Sequence, residues 1–140
     1  MDWKLELVLV PVTDVDRAKT FYTERLGFTL DVDHQPSDDF RVVQMTPPGS
    51  ACSISIGKGI TKAPPGTTEG LHLVVTDIEK ARAELVERGV DVSEIFHFGA
   101  DGRAPGPHQD RADYGSFIAF SDPDGNSWVA QEVNWKKQQA

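Results

Sequence analysis

Val12-Thr13-Asp14-Val15-Asp16-Arg17-Ala18-Lys19, near the start of the chain, returns in its second half as Val75-Thr76-Asp77-Ile78-Glu79-Lys80-Ala81-Arg82. Each copy follows an apolar stretch, Leu5 to Val12 in the first and Leu71 to Val75 in the second. Each then runs through apolar residues at helical spacing to a glycine, Gly27 or Gly89. The echo continues downstream: Thr46-Pro47-Pro48-Gly49 precedes Cys52 to Ile56, and Asp122-Pro123-Asp124-Gly125 precedes Trp128 to Val133. A strand–helix–strands unit written twice implies two modules that complete one sheet, with a site in the groove they share.

Working outward from the repeat, Leu5 to Val12 reads as a strand, and Thr13 or Asp14 as the cap of the helix that follows. Gly27 supplies the left-handed stop. Phe28 to Val32 reads as a second strand and Asp33 to Asp39 as a polar turn; Phe40 to Met45 and Ala51 to Ile56 form a hairpin. The second module repeats this order with a strand Leu71 to Val75, a helix Ile78 to Arg88 and a strand Val92 to Phe98. Ser116 to Ser121 and Ser127 to Val133 close it around the turn Asp122 to Asn126. Residues 1–140 therefore read as one domain: module 1 (5–56), a Gly- and Pro-containing linker (57–70) and module 2 (71–133). Gly99 to Asp113, rich in Gly, Pro, Asp and His, breaks the symmetry and reads as a long loop. Trp135 to Ala140 reads as a frayed tail.

The bulk numbers narrow the classes of function. At 140 residues the chain can bury a sizeable core without staples. A single cysteine, Cys52, forbids an intramolecular disulfide and any Cys-only zinc site, consistent with a reducing cytoplasm. The start Met1-Asp2-Trp3-Lys4-Leu5 lacks the features of a signal peptide, and no stretch approaches the roughly 18 apolar residues a membrane span needs. The expectation is a cytoplasmic protein with no membrane partner. A net charge of −8 repels a phosphate backbone and disfavours nucleic acid, while it draws in cations.

The turn Val12-Thr13-Asp14, the stretch Ala18-Lys19-Thr20-Phe21-Tyr22 with Leu26-Gly27-Phe28, the second copy Val75-Thr76-Asp77 and the turn Asp122-Pro123-Asp124-Gly125-Asn126 together resemble the vicinal oxygen chelate superfamily. That superfamily includes glyoxalase I, extradiol dioxygenases, fosfomycin-resistance enzymes and bleomycin-binding resistance proteins. The resemblance runs from Leu5 to Val133. It implies an α+β fold: two tandem βαβββ modules whose sheets curl into an open barrel around a central cavity. It also implies a homodimer. It does not fix the reaction, because the superfamily hosts many chemistries on one frame.

Metal-dependent members hold a divalent ion on His, Glu or Gln side chains from the first and last strands of each module. The corresponding positions here are Leu7, Ser53, Gly70 and Val129, none of which is a ligand of that type. The expectation is no metal and no cofactor. Strand alternation and the family register then name the residues lining the cavity: Leu7, Leu9, Arg41, Val43, Ser53 and Ser55 from module 1, with His72, Phe117, Ala119, Val129 and Gln131 from module 2. Tyr114 and Phe117 would supply an aromatic wall. Apolar walls with a few converging polar groups are how small-molecule sites are built. His97 and His108 lie in or beside the long loop at spacings that match no ligand motif. Two classes of function fit. One is a metal-free module that binds an aromatic or cationic small molecule, as bleomycin-type resistance proteins do. The other is a glyoxalase-like isomerase, lyase or oxygenase, with His72 as general base and Arg41 holding an anion, or with a rewired metal site.

Overall fold

The computed structural model describes residues 1–134. The tail Trp135–Ala140, expected to fray, lies outside the described residues. The chain divides into two compact units. The first comprises Met1–Thr68 together with Asp122–Asn126; the second comprises Glu69–Ser121 and the chain from Ser127 onward. The fold is mixed α+β, with two separate sheets and no closed barrel among the described residues.

In the first unit, β1 (Leu7–Leu9) leads to α1 (Val15–Thr20), which continues as a π-helical turn over Phe21–Arg25. Then come β2 (Thr29–Ser37), β3 (Phe40–Thr46) and β4 (Ser53–Lys58). The sheet order is β1-β4-β3-β2, with β1 parallel to β4 and the other pairs antiparallel. Asp14 caps α1 by accepting the Arg17 backbone N–H at 3.0 Å, and Gly27 ends the helical run at φ +75°. Helix α1 packs against β4. Ala18 and Tyr22 are fully buried, as are Val43, Met45 and Ile56, with Ile54 nearly so. Each large apolar side chain in this layer contributes about 1.5–3 kcal/mol of burial.

Strand β2 runs through the segment expected to be a polar turn. Its pairing with β3 is irregular between Leu30 and Val32 and again between His34 and Ser37. An edge strand can carry Asp, His and Pro36 because its outer groups face water and its bulges absorb mismatched residues.

The turn Asp122–Asn126 is held by a buried polar network within the first unit. Asn126, with no solvent exposure, donates through Nδ2 to the Pro11 carbonyl and to Asp122 Oδ2, both at 2.8 Å. Its Oδ1 accepts the Thr68 N–H at 3.0 Å. The Tyr22 hydroxyl donates to Asp122 Oδ2 at 2.7 Å. Gly66 lies so close to this turn, at φ +78°, that a Cβ there would fall 2.2 Å from the Asp124 carbonyl oxygen.

In the second unit, β5 (Leu71–Val75) and α2 (Ile78–Glu87) precede β6 (Phe96–Gly99), β7 (Gly102–Pro105), β8 (Phe117–Ser121) and β9 (Ser127–Glu132). The order is β5-β9-β8-β6-β7, with β5 parallel to β9. Asp77 repeats the role of Asp14, accepting the Lys80 N–H at 3.1 Å. Ile78, Ile118 and Ala130 centre the core, with Leu73, Val75, Leu85 and Ile95 packed around them. Part of the expected long loop is therefore a strand. β7 pairs with β6 as a hairpin, and its sequence Gly-Arg-Ala-Pro has too little apolar alternation to reveal it.

Two outcomes are expected. Asn126→Ala should lower stability by about 2–3 kcal/mol, because it leaves buried groups of the turn unpaired, read as a lower urea midpoint at unchanged slope. The second concerns Asp33, which accepts from Arg41 at 3.0 and 2.9 Å and from Lys19 at 2.7 Å. These cations, Arg41 first, hold its carboxyl well below the usual carboxylate range. A carboxylate depressed on folding adds stability above its unfolded pKa of about 3.9 and loses it as pH falls toward the folded value. Asp33→Asn should thus be less stable than wild type at pH 7, and the gap should close as pH is lowered from about 4 to 2. A gap unchanged over that range would contradict the assignment.

Candidate functional site: the open faces of two sheets

One face of the first sheet is covered by α1, so the site question concerns the other. Pairing sets Leu7 beside Ser53 and Leu9 beside Ser55, and Gln44 beside Ser55 from the opposite side. Residues paired across a sheet share a face. Leu7, Leu9, Val42, Gln44, Thr46, Ser53 and Ser55 therefore lie together, away from the core residues Val43, Met45, Ile54 and Ile56.

This register corrects two expectations. Arg41 and Val43 are on the helix side of β3, not on the face with Ser53 and Ser55. Val43 is fully buried core. Arg41 grips Asp33 through two nitrogens and reaches Asp16 of α1 at 2.8 Å, so its charge is spent within the protein. The parity of β3 relative to β4 is set by the length and geometry of the turn between Thr46 and Ser53, which strand alternation alone does not supply. Gln44 and Thr46 are the residues that sequence reasoning missed.

Polar groups on this face differ in how they are used. Thr46 has one hydroxyl proton and donates it to Asp31 at a short distance, so Ser53 donates to Thr46 at 2.7 Å. Asp31 sits at the first irregularity of β2, where a bulge re-aims a side chain. Ser55 is 1% exposed and its hydroxyl has no partner.

The second sheet's open face follows the expected alternation. His72 pairs with Val129, Val74 with Gln131, Phe117 with Gln131 and Ala119 with Val129. Phe96 pairs with Phe117 and Arg103 with Phe98, so the hairpin β6–β7 extends the same face. Phe96 stacks on Phe117 at 5.5 Å, and Phe98 meets Phe117 edge-on at 5.3 Å. Phe98 is 60% exposed. The Arg103 guanidinium lies 3.7 Å from the centre of the Phe96 ring and pairs with no carboxylate among the described residues. The alternation of Phe96, His97 and Phe98 was the available signal for these aromatics; only pairing reveals Arg103. His72 is exposed, and its Nδ1–H donates to the Gly70 carbonyl at 2.5 Å, which leaves Nε2 as the basic nitrogen. Tyr114 is exposed at φ +62°, with its N–H donated to the Glu132 carbonyl at 2.8 Å.

The remaining polar clusters are occupied. His97 Nδ1 bonds the Gly106 carbonyl at 2.8 Å, and His108 Nδ1 accepts the Asp110 N–H at 3.1 Å, so each holds loop backbone. A pocket of about 350 Å³ lies at the start of α2, lined by Asp77, Glu79, Lys80, Arg111 and Glu132 among others. It is on the helix side of the sheet, apart from the residues the sequence singled out. Within it Arg111 bonds Glu132 at 2.9 and 2.6 Å and Glu79 at 2.7 Å. Arg111 holds the Glu132 carboxyl below its ordinary range against the opposing effect of burial, aided by the Ile78 N–H. This cluster fastens the loop, at the left-handed Arg111, to the helix cap.

The family's metal can be tested against these residues. Leu7 and Val129 have no donor atoms, Gly70 has no side chain, and the Ser53 hydroxyl is committed to Thr46. No group of three His, Cys, Asp or Glu side chains converges among the described residues. A divalent ion does not fit this donor set.

The parallel β1–β4 and β5–β9 pairs, each with its crossover helix, form a duplicated module, and a family model for the glyoxalase/bleomycin resistance protein/dioxygenase superfamily matches residues 4–130. The chain belongs to this superfamily. Its motifs therefore pointed to the right family. Among solved structures it is similar to TnmS3, an antibiotic binding protein from Streptomyces sp. CB03234. Identity is 34%, the TM-score is 0.73, and the match covers 94% of this chain and 96% of that one. A glyoxalase/bleomycin resistance protein from the same organism is 35% identical at a TM-score of 0.70, covering 92% of this chain and 100% of that one. The uncharacterized protein YetH of Bacillus subtilis (strain 168) is 25% identical over 126 residues, 89% of this chain and 94% of its own length.

Proposed function

We propose that this superfamily member binds an aromatic small molecule without a metal, and that the open face of the second unit is where the ring rests. The observation that carries this reading is the aromatic cluster Phe96, Phe98 and Phe117, with Phe98 60% exposed and the unpaired Arg103 beside it. An exposed phenylalanine with an open ring face gains stacking and burial when a planar ligand covers it. Gln131, paired with Phe117, and His72, farther along on β5, supply hydrogen bonds that set orientation. Arg103 favours a ring with an electron-rich or anionic edge and disfavours the cationic ligand that net charge alone suggests. The similarity to an antibiotic binding protein supports sequestration, with resistance to a toxic aromatic compound as the consequence.

An enzyme is the second reading, favoured by one observation. The Gly70 carbonyl fixes the His72 tautomer so that Nε2 faces outward as a base. Arg41 has no part in it, since its guanidinium is consumed by Asp33 and Asp16. The single cysteine supports a cytoplasmic location. Trp3 and Leu5, 89% and 70% exposed ahead of β1, support a homodimer in which a second copy covers them.

Titration with 8-anilinonaphthalene-1-sulfonate at neutral pH should give saturable binding. Phe98→Ala should weaken it about tenfold, in line with about 1–1.5 kcal/mol for a stacked aromatic contact. Arg103→Gln should weaken it several-fold, and His108→Ala should leave it unchanged. Equal affinity in wild type and Phe98→Ala would overturn the binding-face assignment. Light scattering should give a particle of twice the 15.4 kDa chain mass, and a monomer at micromolar concentration would refute the dimer.

A further inference from the structure

The open face of the first unit holds a hydroxyl that the fold does not use. Ser53 and Ser55 stand on the same face of β4, two residues apart. Ser53 is satisfied through Thr46 and on to Asp31. Ser55 is buried to 1% exposure, yet its Oγ has no protein partner among the described residues. A buried hydroxyl without a partner destabilises the free protein, and alanine would fold at least as well there. Such a group is explained when another molecule supplies its partner.

The residue beside it has the same character. Gln44 pairs directly with Ser55 across β3 and β4, and its carboxamide makes no hydrogen bond among the described residues. It is half-buried, on the same face as the hydroxyl. Leu9, 39% exposed, pairs with Ser55 from β1 and gives the apolar flank. Among the described residues no lysine or arginine of β2–β4 lies on this face: Arg41 and its partner Lys58 are on the helix side, and His34, paired with Val42, stands on the edge strand. Asp31, the carboxylate bonded to the face, already accepts from Thr46. An anionic ligand group would therefore be desolvated without a fixed counter-charge, and the Asp31 carboxylate would repel it.

We propose that Ser55 and Gln44 form a subsite for a neutral amide or lactam carried on an apolar body. The side-chain chemistry matches on both edges of such a group. The ligand carbonyl accepts from the Ser55 hydroxyl or the Gln44 NH₂, and the ligand N–H donates to the Gln44 carbonyl. This subsite stands on the first unit's own residues and does not depend on the aromatic face of the second.

The test uses the full-length ¹⁵N-labelled protein with benzamide and toluene, which share a ring and differ in the amide. Benzamide should shift backbone amides of β1, β3 and β4 and saturate at millimolar concentration, with toluene about tenfold weaker. Ser55→Ala and Gln44→Leu should each reduce the benzamide preference to about twofold or less, and Ser55→Ala should leave the Tm of the free protein unchanged or raised. Phe98→Ala should keep the preference, which separates this subsite from the aromatic face. The proposal is overturned if the two probes bind equally, if benzamide shifts only second-unit residues, or if the preference survives both substitutions. A lowered Tm or failed folding in Ser55→Ala would also overturn it, since the hydroxyl would then serve the fold itself.

Discussion

Burial of one sheet face under a helix fixes everything else in each unit. Once Val43, Met45, Ile54 and Ile56 turn toward α1, the pleat sends Gln44, Ser53 and Ser55 to the other side. The second unit obeys the same rule, with Ile118 and Ala130 beneath α2 and Phe117, Ala119, Val129 and Gln131 opposite. A shift of one residue in any strand would exchange the two sets and expose the core. The composition of the open faces is thus a consequence of core packing, and selection for ligand chemistry acts on what the core leaves outside.

The duplication supplies two copies of the frame, and the copies have diverged where chemistry would occur. Both keep the parallel first and last strands, the aspartate cap and the helix stop at positive φ. The positions at which relatives hold a metal carry leucine, serine, glycine and valine. The second copy contains the hairpin β6–β7, which brings an aromatic end and the Arg103 guanidinium to its face. The first has kept a polar pair without charge. The donor atoms at these positions do not suit a divalent ion, and the two faces differ in ring surface and polar groups.

Charge in this acidic chain is spent mainly on fastening loops and edges. Arg41 ties the edge strand β2 to α1 through Asp33 and Asp16, and Arg111 ties the loop before β8 to Glu132 and Glu79. In the last turn the uncharged Asn126 does the same, donating from its backbone N–H and Nδ2 to the buried Asp122 carboxylate. Arg103 is the contrast, resting on a phenylalanine ring with no carboxylate.

The sequence by itself determined the repeat, the leading strand and helix of each module and both caps. These are local: capping, helix periodicity and side-chain chemistry act over a few residues. Simple alternation on β5 and β9 also puts His72, Val129 and Gln131 on one side of the sheet, as the pairing does. Tertiary structure alone decided the rest. Pairing between β3 and β4, separated by a turn of unreadable geometry, put Arg41 against Asp33 and replaced it with Gln44 on the open face. Strand β2 extended through polar residues, and β7 formed from Gly-Arg-Ala-Pro, because backbone pairing with a neighbour outweighs weak local preference at a sheet edge. Whether a hydroxyl such as Ser55 finds a partner depends on neighbours from other strands, and no local pattern encodes that.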